Sequence, residues 1–152
     1  MDKIKIYIKS ILIPVIVGGI VGLITSSAID YNNLKKPFLS PPSAVFPIVW
    51  TVLYILMGVS YGILKSNKLT DQETDRIYYA QLIVNALWSI FFFLFKWRLF
   101  AFIWIILLAV LVILMIVKFY RKNNVAGLLQ IPYILWILFA SYLNISTYFF
   151  NK

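Results

Sequence analysis

Histidine and cysteine are both absent from this 152-residue chain. Without His it lacks the commonest metal ligand, the usual haem axial ligand and the one base that titrates near neutrality. Without Cys there is no disulfide, thiolate nucleophile or iron–sulfur ligation. Acid is scarce as well. The five carboxylates, Asp2, Asp30, Asp71, Glu73 and Asp75, sit in the N-terminal tail or in polar connections. None interrupts a long apolar run, where ionisable groups mark proton relays and ion paths. Conventional acid–base, metal-assisted and nucleophilic catalysis therefore have almost nothing to work with. No metal and no cofactor is expected.

What the chain has instead is apolar length. Hydrophobic residues make up 62% of it, too many for an ordinary soluble domain. Its charges fall in clusters that leave five uncharged runs: 10–29, 37–64, 77–95, 99–117 and 123–151. Crossing about 30 Å of hydrocarbon at about 1.5 Å per residue takes roughly 20 apolar residues. Each run reaches that length or falls a residue short, and none carries the polar face of a soluble core helix. The pattern predicts an all-α polytopic membrane protein, one transmembrane domain over 1–152. Its five helices are expected at about 6–29, 44–64, 77–95, 99–119 and 125–150. The first run follows Lys3, Lys5 and Lys9, as a signal peptide would, but outlasts the usual apolar core of one. It is expected to remain as a helix. Gly18, Gly22 and Ser26 recur on it at four-residue spacing, as a close-packing seam or as the ordinary tolerance of small residues in lipid.

Lys and Arg set the orientation. The N-terminus, the second connection and the fourth together carry nine; the first, the third and the C-terminus carry five. The richer side is expected in the cytoplasm, with the N-terminus. The net charge of +9 then belongs to lipid headgroups and topology, and no nucleic-acid partner is expected.

The first connection differs from the rest. Pro37, Pro41 and Pro42 stiffen it, and Tyr31, Leu34, Phe38 and Leu39 give it apolar side chains to bury. It reads as a lid-like loop over 30–43, or as a segment lying on headgroups. Lys96-Trp97-Arg98 is so short a turn that the third and fourth helices must be antiparallel neighbours. Trp97 and Trp104 near it suit an interfacial aromatic belt.

Within the helices, large aromatics and amides share faces. Phe46, Trp50, Tyr54 and Met57 line up on the second helix; Gln81, Asn85, Trp88 and Phe92 on the third, with Ser89 beside Asn85; Trp136, Ala140 and Asn144 on the fifth, after a kink expected at Pro132. An amide facing lipid leaves its hydrogen-bonding groups unpaired, so Asn85 and Asn144 are expected to point inward. They serve either as glue between helices or as part of a ligand cavity.

These residues carry a resemblance. Pro41-Pro42 followed by Phe46-Pro47-Ile48-Val49-Trp50-Thr51-Val52-Leu53-Tyr54 is similar to the second-helix signature of the translocator protein family, also known as tryptophan-rich sensory proteins or the peripheral-type benzodiazepine receptor. Gln81 to Ser89 with Phe91 and Phe92 continues it, and Pro132-Tyr133, Trp136, Ala140 and Leu143-Asn144 close it. The resemblance implies a five-helix bundle, often a homodimer, with a cavity under the first loop. It implies porphyrins as partners, with sterols and synthetic benzodiazepine-like ligands in some members. Bacterial relatives are linked to light-dependent degradation of protoporphyrin, which puts this chain in a bacterial cell membrane. The expected ligand-binding residues are Tyr31, Pro41, Phe46, Trp50, Tyr54, Asn85, Trp88, Ser89, Trp136, Ala140, Leu143 and Asn144, with Trp50 and Trp136 as the photochemical pair. Where many relatives carry further tryptophans, this chain has Asp30, Leu39 and Ala44. Leu143, Tyr148 and Lys152 also fit a loose sterol pattern that any aromatic and basic helix end satisfies.

Three functions compete: a porphyrin-binding sensor, scavenger or carrier; a light-dependent enzyme that oxidises its own indoles; and a small-molecule or sterol transporter. The last lacks visible inverted repeats and coupling-ion residues.

Overall fold

A computed structural model describes residues 2–26, 40–42 and 44–151. The helices are α1 (Asp2–Ser26), α2 (Val45–Ser66), α3 (Gln72–Ser89), α4 (Arg98–Lys122), α5 (Asn124–Leu128) and α6 (Ile131–Asn151). A single π-helical turn, Ile90–Leu94, prolongs α3, and among the described residues there is no strand. Among the described residues, five spans are long and apolar enough to cross a membrane, with α5 and α6 together forming the fifth. The expected lid-like loop lies outside the described residues except at 40–42, and Tyr31 and Lys152 lie outside them too.

The spans close into a ring. α1 packs on α2, α2 on α5, α5 and α6 on α4, α4 on α3, and α3 back on α1. Large apolar side chains face outward all around it, Ile48, Ile83, Ile103 and Leu135 among the most exposed. The interior meanwhile holds Gln81, Asn85, Gln130, Asn144 and Thr147. In water this arrangement would be inverted; in lipid it is the favourable one, because hydrocarbon accepts the apolar rim and cannot satisfy the polar groups.

Three local features position the bundle. First, α3 begins at Gln72, earlier than the polar composition of 65–76 suggests, because Asp71 caps it: its carboxylate accepts from the Thr74 N–H (2.8 Å) while the Thr74 hydroxyl oxygen accepts from the Asp71 N–H. Lys122 also holds that carboxylate at 2.7 Å, and Lys118 meets Glu73 at 3.0 Å, tying the connection to the end of α4. Lys122 first and the Thr74 amide second lower the Asp71 carboxyl to about 2. The Lys122–Asp71 pair is therefore complete above about pH 4 and is lost as pH falls through the lowered value. Second, the fifth span breaks at Leu129-Gln130, just before Pro132 rather than at it. Proline suits the first turn of α6, where its missing N–H interrupts nothing within that helix. Third, the π turn places Phe92 and Phe93 side by side on the inner wall, and Lys96 (φ 58°) reverses the chain into α4.

The α1–α2 seam depends on Gly58 more than on the small residues of α1. Pro14 leaves the Ser10 carbonyl without its helical donor, and α2 approaches at that point. A Cβ on Gly58 would strike the Ile11 backbone and lie 2.6 Å from Ser10 O. Gly18 receives the Tyr54 ring, whereas Gly19 and Gly22 face open space. Gly58→Ala should accordingly cost about 1–3 kcal/mol as an overpacked contact. Gly19→Ala should gain up to about 1 kcal/mol of helix propensity. Thermal midpoints in detergent measure both; equal midpoints would contradict this placement of the seam.

Candidate functional site

A cavity of about 560 Å³ opens between α1, α2, the end of α3 and α6. Its size falls within the range of roughly 300–1,000 Å³ typical of small-molecule sites. α2 contributes Phe46, Pro47, Trp50, Thr51 and Tyr54; the α3 side contributes Trp88, Ser89, Phe92 and Phe93; α6 contributes Trp136, Ala140, Leu143, Asn144 and Thr147. Along α1 the wall is Val15, Gly18, Gly19, Val21, Gly22, Leu23, Thr25 and Ser26. Sequence reasoning missed this last wall, although the spacing of Gly18, Gly22 and Ser26 was its signal. Gly18 admits the Tyr54 ring of α2, while the lack of bulk at Gly22 leaves room for the cavity.

Trp50 is the centre of the aromatic lining. Its ring lies 6.4 Å from Trp136 at 89°, 6.3 Å from Trp88 at 37° and 5.7 Å from Tyr54, nearly parallel to it. Phe46 meets the Trp136 ring edge-on at 6.0 Å. These offset and T-shaped pairs are the favoured geometries for aromatic quadrupoles. The indole N–H groups are used differently. Trp88 donates to the Asn144 carbonyl oxygen at 2.9 Å, and the Asn144 amide then donates to the Arg98 carbonyl at 2.8 Å, fixing α6 to the start of α4. The Trp136 N–H is buried and has no acceptor among the described residues.

Asn85 does not line the cavity; it stands behind the wall. The Tyr54 hydroxyl donates to its carbonyl oxygen at 2.8 Å, and its amide donates to the Tyr133 hydroxyl oxygen at 2.6 Å. Tyr133 in turn donates to the Gln81 carbonyl oxygen at 2.7 Å, and the Gln81 amide donates to the Tyr78 carbonyl and the Met57 sulfur. The chain joins α2, α3 and α6 through side chains that are all buried. Of the described members of the expected set, Phe46, Trp50, Tyr54, Trp88, Ser89, Trp136, Ala140, Leu143 and Asn144 lie in the wall, and Asn85 lies one layer deeper. Pro41, next to wall residue Ser40, is not among the lining residues.

The two other tryptophans part company. Trp97 is exposed and stacks at 6.0 Å on Phe91, in keeping with an interfacial belt. Trp104 is half-buried, and its N–H donates to the Val84 carbonyl at 2.8 Å, so it ties α3 to α4.

No described side chains form a cluster of metal-ligating groups. The cavity can supply aromatic faces and a few hydroxyls.

Residues 10–149 match the TspO/MBR family. Among similar proteins, the tryptophan-rich protein TspO of Archaeoglobus fulgidus is 37% identical over 95% of both chains. The tryptophan-rich sensory protein of Cereibacter sphaeroides is 34% identical over 75% of this chain and 72% of its own. The translocator protein of Sus scrofa is 30% identical over 75% of this chain and 70% of its own.

Proposed function

Since the chain belongs to the TspO/MBR family of integral membrane proteins, we propose that its cavity binds a planar tetrapyrrole of the protoporphyrin type. The chain then acts as a sensor, scavenger or carrier in a bacterial cell membrane, as a single transmembrane domain. The observation that carries this is the set of three indoles, Trp50, Trp88 and Trp136, gathered within one cavity wall. A flat aromatic macrocycle gains from stacking on such faces. At about 40 heavy atoms and roughly −0.3 kcal/mol each, the affinity ceiling is about −12 kcal/mol, or nanomolar. Tight binding needs no buried charge. By resemblance the same cavity takes benzodiazepine-like ligands, and the chain works as a homodimer.

Light adds chemistry that the side chains lack. A photoexcited porphyrin can take one electron from a neighbouring indole, the most readily oxidised ring in the wall, leaving an indole radical cation and a porphyrin radical anion for dissolved dioxygen to attack, which makes Trp50 and Trp136 the donors for porphyrin breakdown. Replacing either indole by Phe keeps a stacking face and removes the donor. Trp50→Phe and Trp136→Phe are expected to bind protoporphyrin within a few-fold of the parent yet lose its light-dependent loss of absorbance. Trp97→Phe should change neither. Parent-like photodegradation by the Trp50→Phe, Trp136→Phe double variant would sink the enzymatic part and leave a binding protein. A transporter, the activity suggested by the word translocator in the name of the Sus scrofa relative, would instead carry porphyrin into sealed proteoliposomes.

The N-terminus is assigned to the cytoplasm, from the nine-to-five division of Lys and Arg between the two ends of the bundle. The absence of Cys makes labelling simple. A cysteine introduced at Thr70 should resist an impermeant thiol reagent applied to intact cells; rapid labelling from outside would reverse the orientation.

A further inference from the structure

The polar chain that starts at Tyr54 does not stop at Gln81. Gln81 pairs with Tyr133 and Trp88 with Asn144, so α3 and α6 run in the same direction. One turn back from the first pair on each strand of chain stand Tyr78 and Gln130, three residues before Gln81 and Tyr133. Both are sealed in: Tyr78 is 1% exposed and Gln130 is 0% exposed. Yet the Tyr78 hydroxyl and both polar atoms of the Gln130 amide have no hydrogen-bond partner among the described residues.

The backbone adds to the demand at the same place. Gln130 occupies the α5–α6 break, and its own carbonyl serves the Tyr133 and Ile134 N–H groups at 3.1 and 3.3 Å. Pro132 has no N–H to offer the Leu128 carbonyl. Tyr78 is held against rotation by its stack on Tyr61, 4.3 Å between centroids, and by Phe119 on its far side. A hydroxyl and a primary amide left dry in such a place oppose folding strongly, and native interiors resolve that by enclosing water.

We propose that the α5–α6 break encloses an internal water site, in which ordered water bridges the Gln130 amide and the Tyr78 hydroxyl. The site completes a polar column from the cavity wall at Tyr54, through Asn85, Tyr133 and Gln81, to the end of the bundle where the acidic connection lies. It also explains why a glutamine is tolerated at the corner of a membrane span. The site is independent of what the cavity binds.

Thermal midpoints of purified protein in nanodiscs test it, with Gln130→Leu, Tyr78→Phe and the double variant. Bridging water predicts that each single change lowers the midpoint, since each strands the partner group, and that the double variant loses less than the sum. A midpoint raised or unchanged by Gln130→Leu would mean that the amide sits dry, and overturns the proposal. Strictly additive losses overturn the shared bridge. Should a variant fail to fold, a wild-type map that resolves ordered water decides: density between Gln130 and Tyr78 is expected, and an empty gap there refutes the site.

Discussion

An amide inside a lipid-embedded bundle has no water to fall back on, and Asn85 turns that constraint into architecture. Its carbonyl oxygen and its amide each have one partner, on two different helices. Apolar burial cannot drive helices together in hydrocarbon, since lipid tails are as apolar as leucine. Association rests on close packing and on polar groups that can be satisfied only across helices. The chain from Tyr54 to Gln81 supplies the second, and Gly58 against the Ser10–Ile11 backbone supplies the first. Together they hold the ring of spans while leaving one sector underfilled.

That sector is the cavity, and its walls show a division of labour. The Asn144 pairings lock Trp88 and the start of α4 in place, so one indole is structural. Trp50 and Trp136 are held by ring contacts, and the Trp136 N–H stays unspent. The glycines of α1 keep the fourth wall thin. Binding surface and scaffold are therefore interleaved on the same helices: a residue one layer behind the wall governs the shape of the wall.

Much of this was legible in the sequence, for physical reasons. Charge-free runs give membrane spans directly, because the cost of burying ions leaves few other readings. The inward direction of Asn85 and Asn144 follows from the cost of an unpaired amide, and the four-residue spacing of Phe46, Trp50 and Tyr54 puts them on one face. Depth was not legible. A helical face says where a side chain points but not whether a larger neighbour stands in front of it, which is why Asn85 reads as lining and sits behind Tyr54. Nor did composition reveal that Asp71 caps a helix within a polar stretch, that Trp104 spends its N–H on Val84, or that the fifth span breaks before Pro132. Each depends on a partner distant in sequence or on a local backbone choice.

The claim that a hidden polar joint shapes the cavity is tested most directly at Asn85 itself. Asn85→Leu keeps nearly the same volume and touches no cavity surface, but strands the Tyr54 hydroxyl, at about 1–3 kcal/mol, and leaves the Tyr133 hydroxyl with Gln81 alone. Protoporphyrin affinity and thermal midpoint should be measured on the same preparation. Both are predicted to fall, affinity because Tyr54 and the Trp50 ring stacked on it lose their anchor. A variant as stable as the parent and with unchanged affinity would contradict the account, showing that packing alone holds the wall.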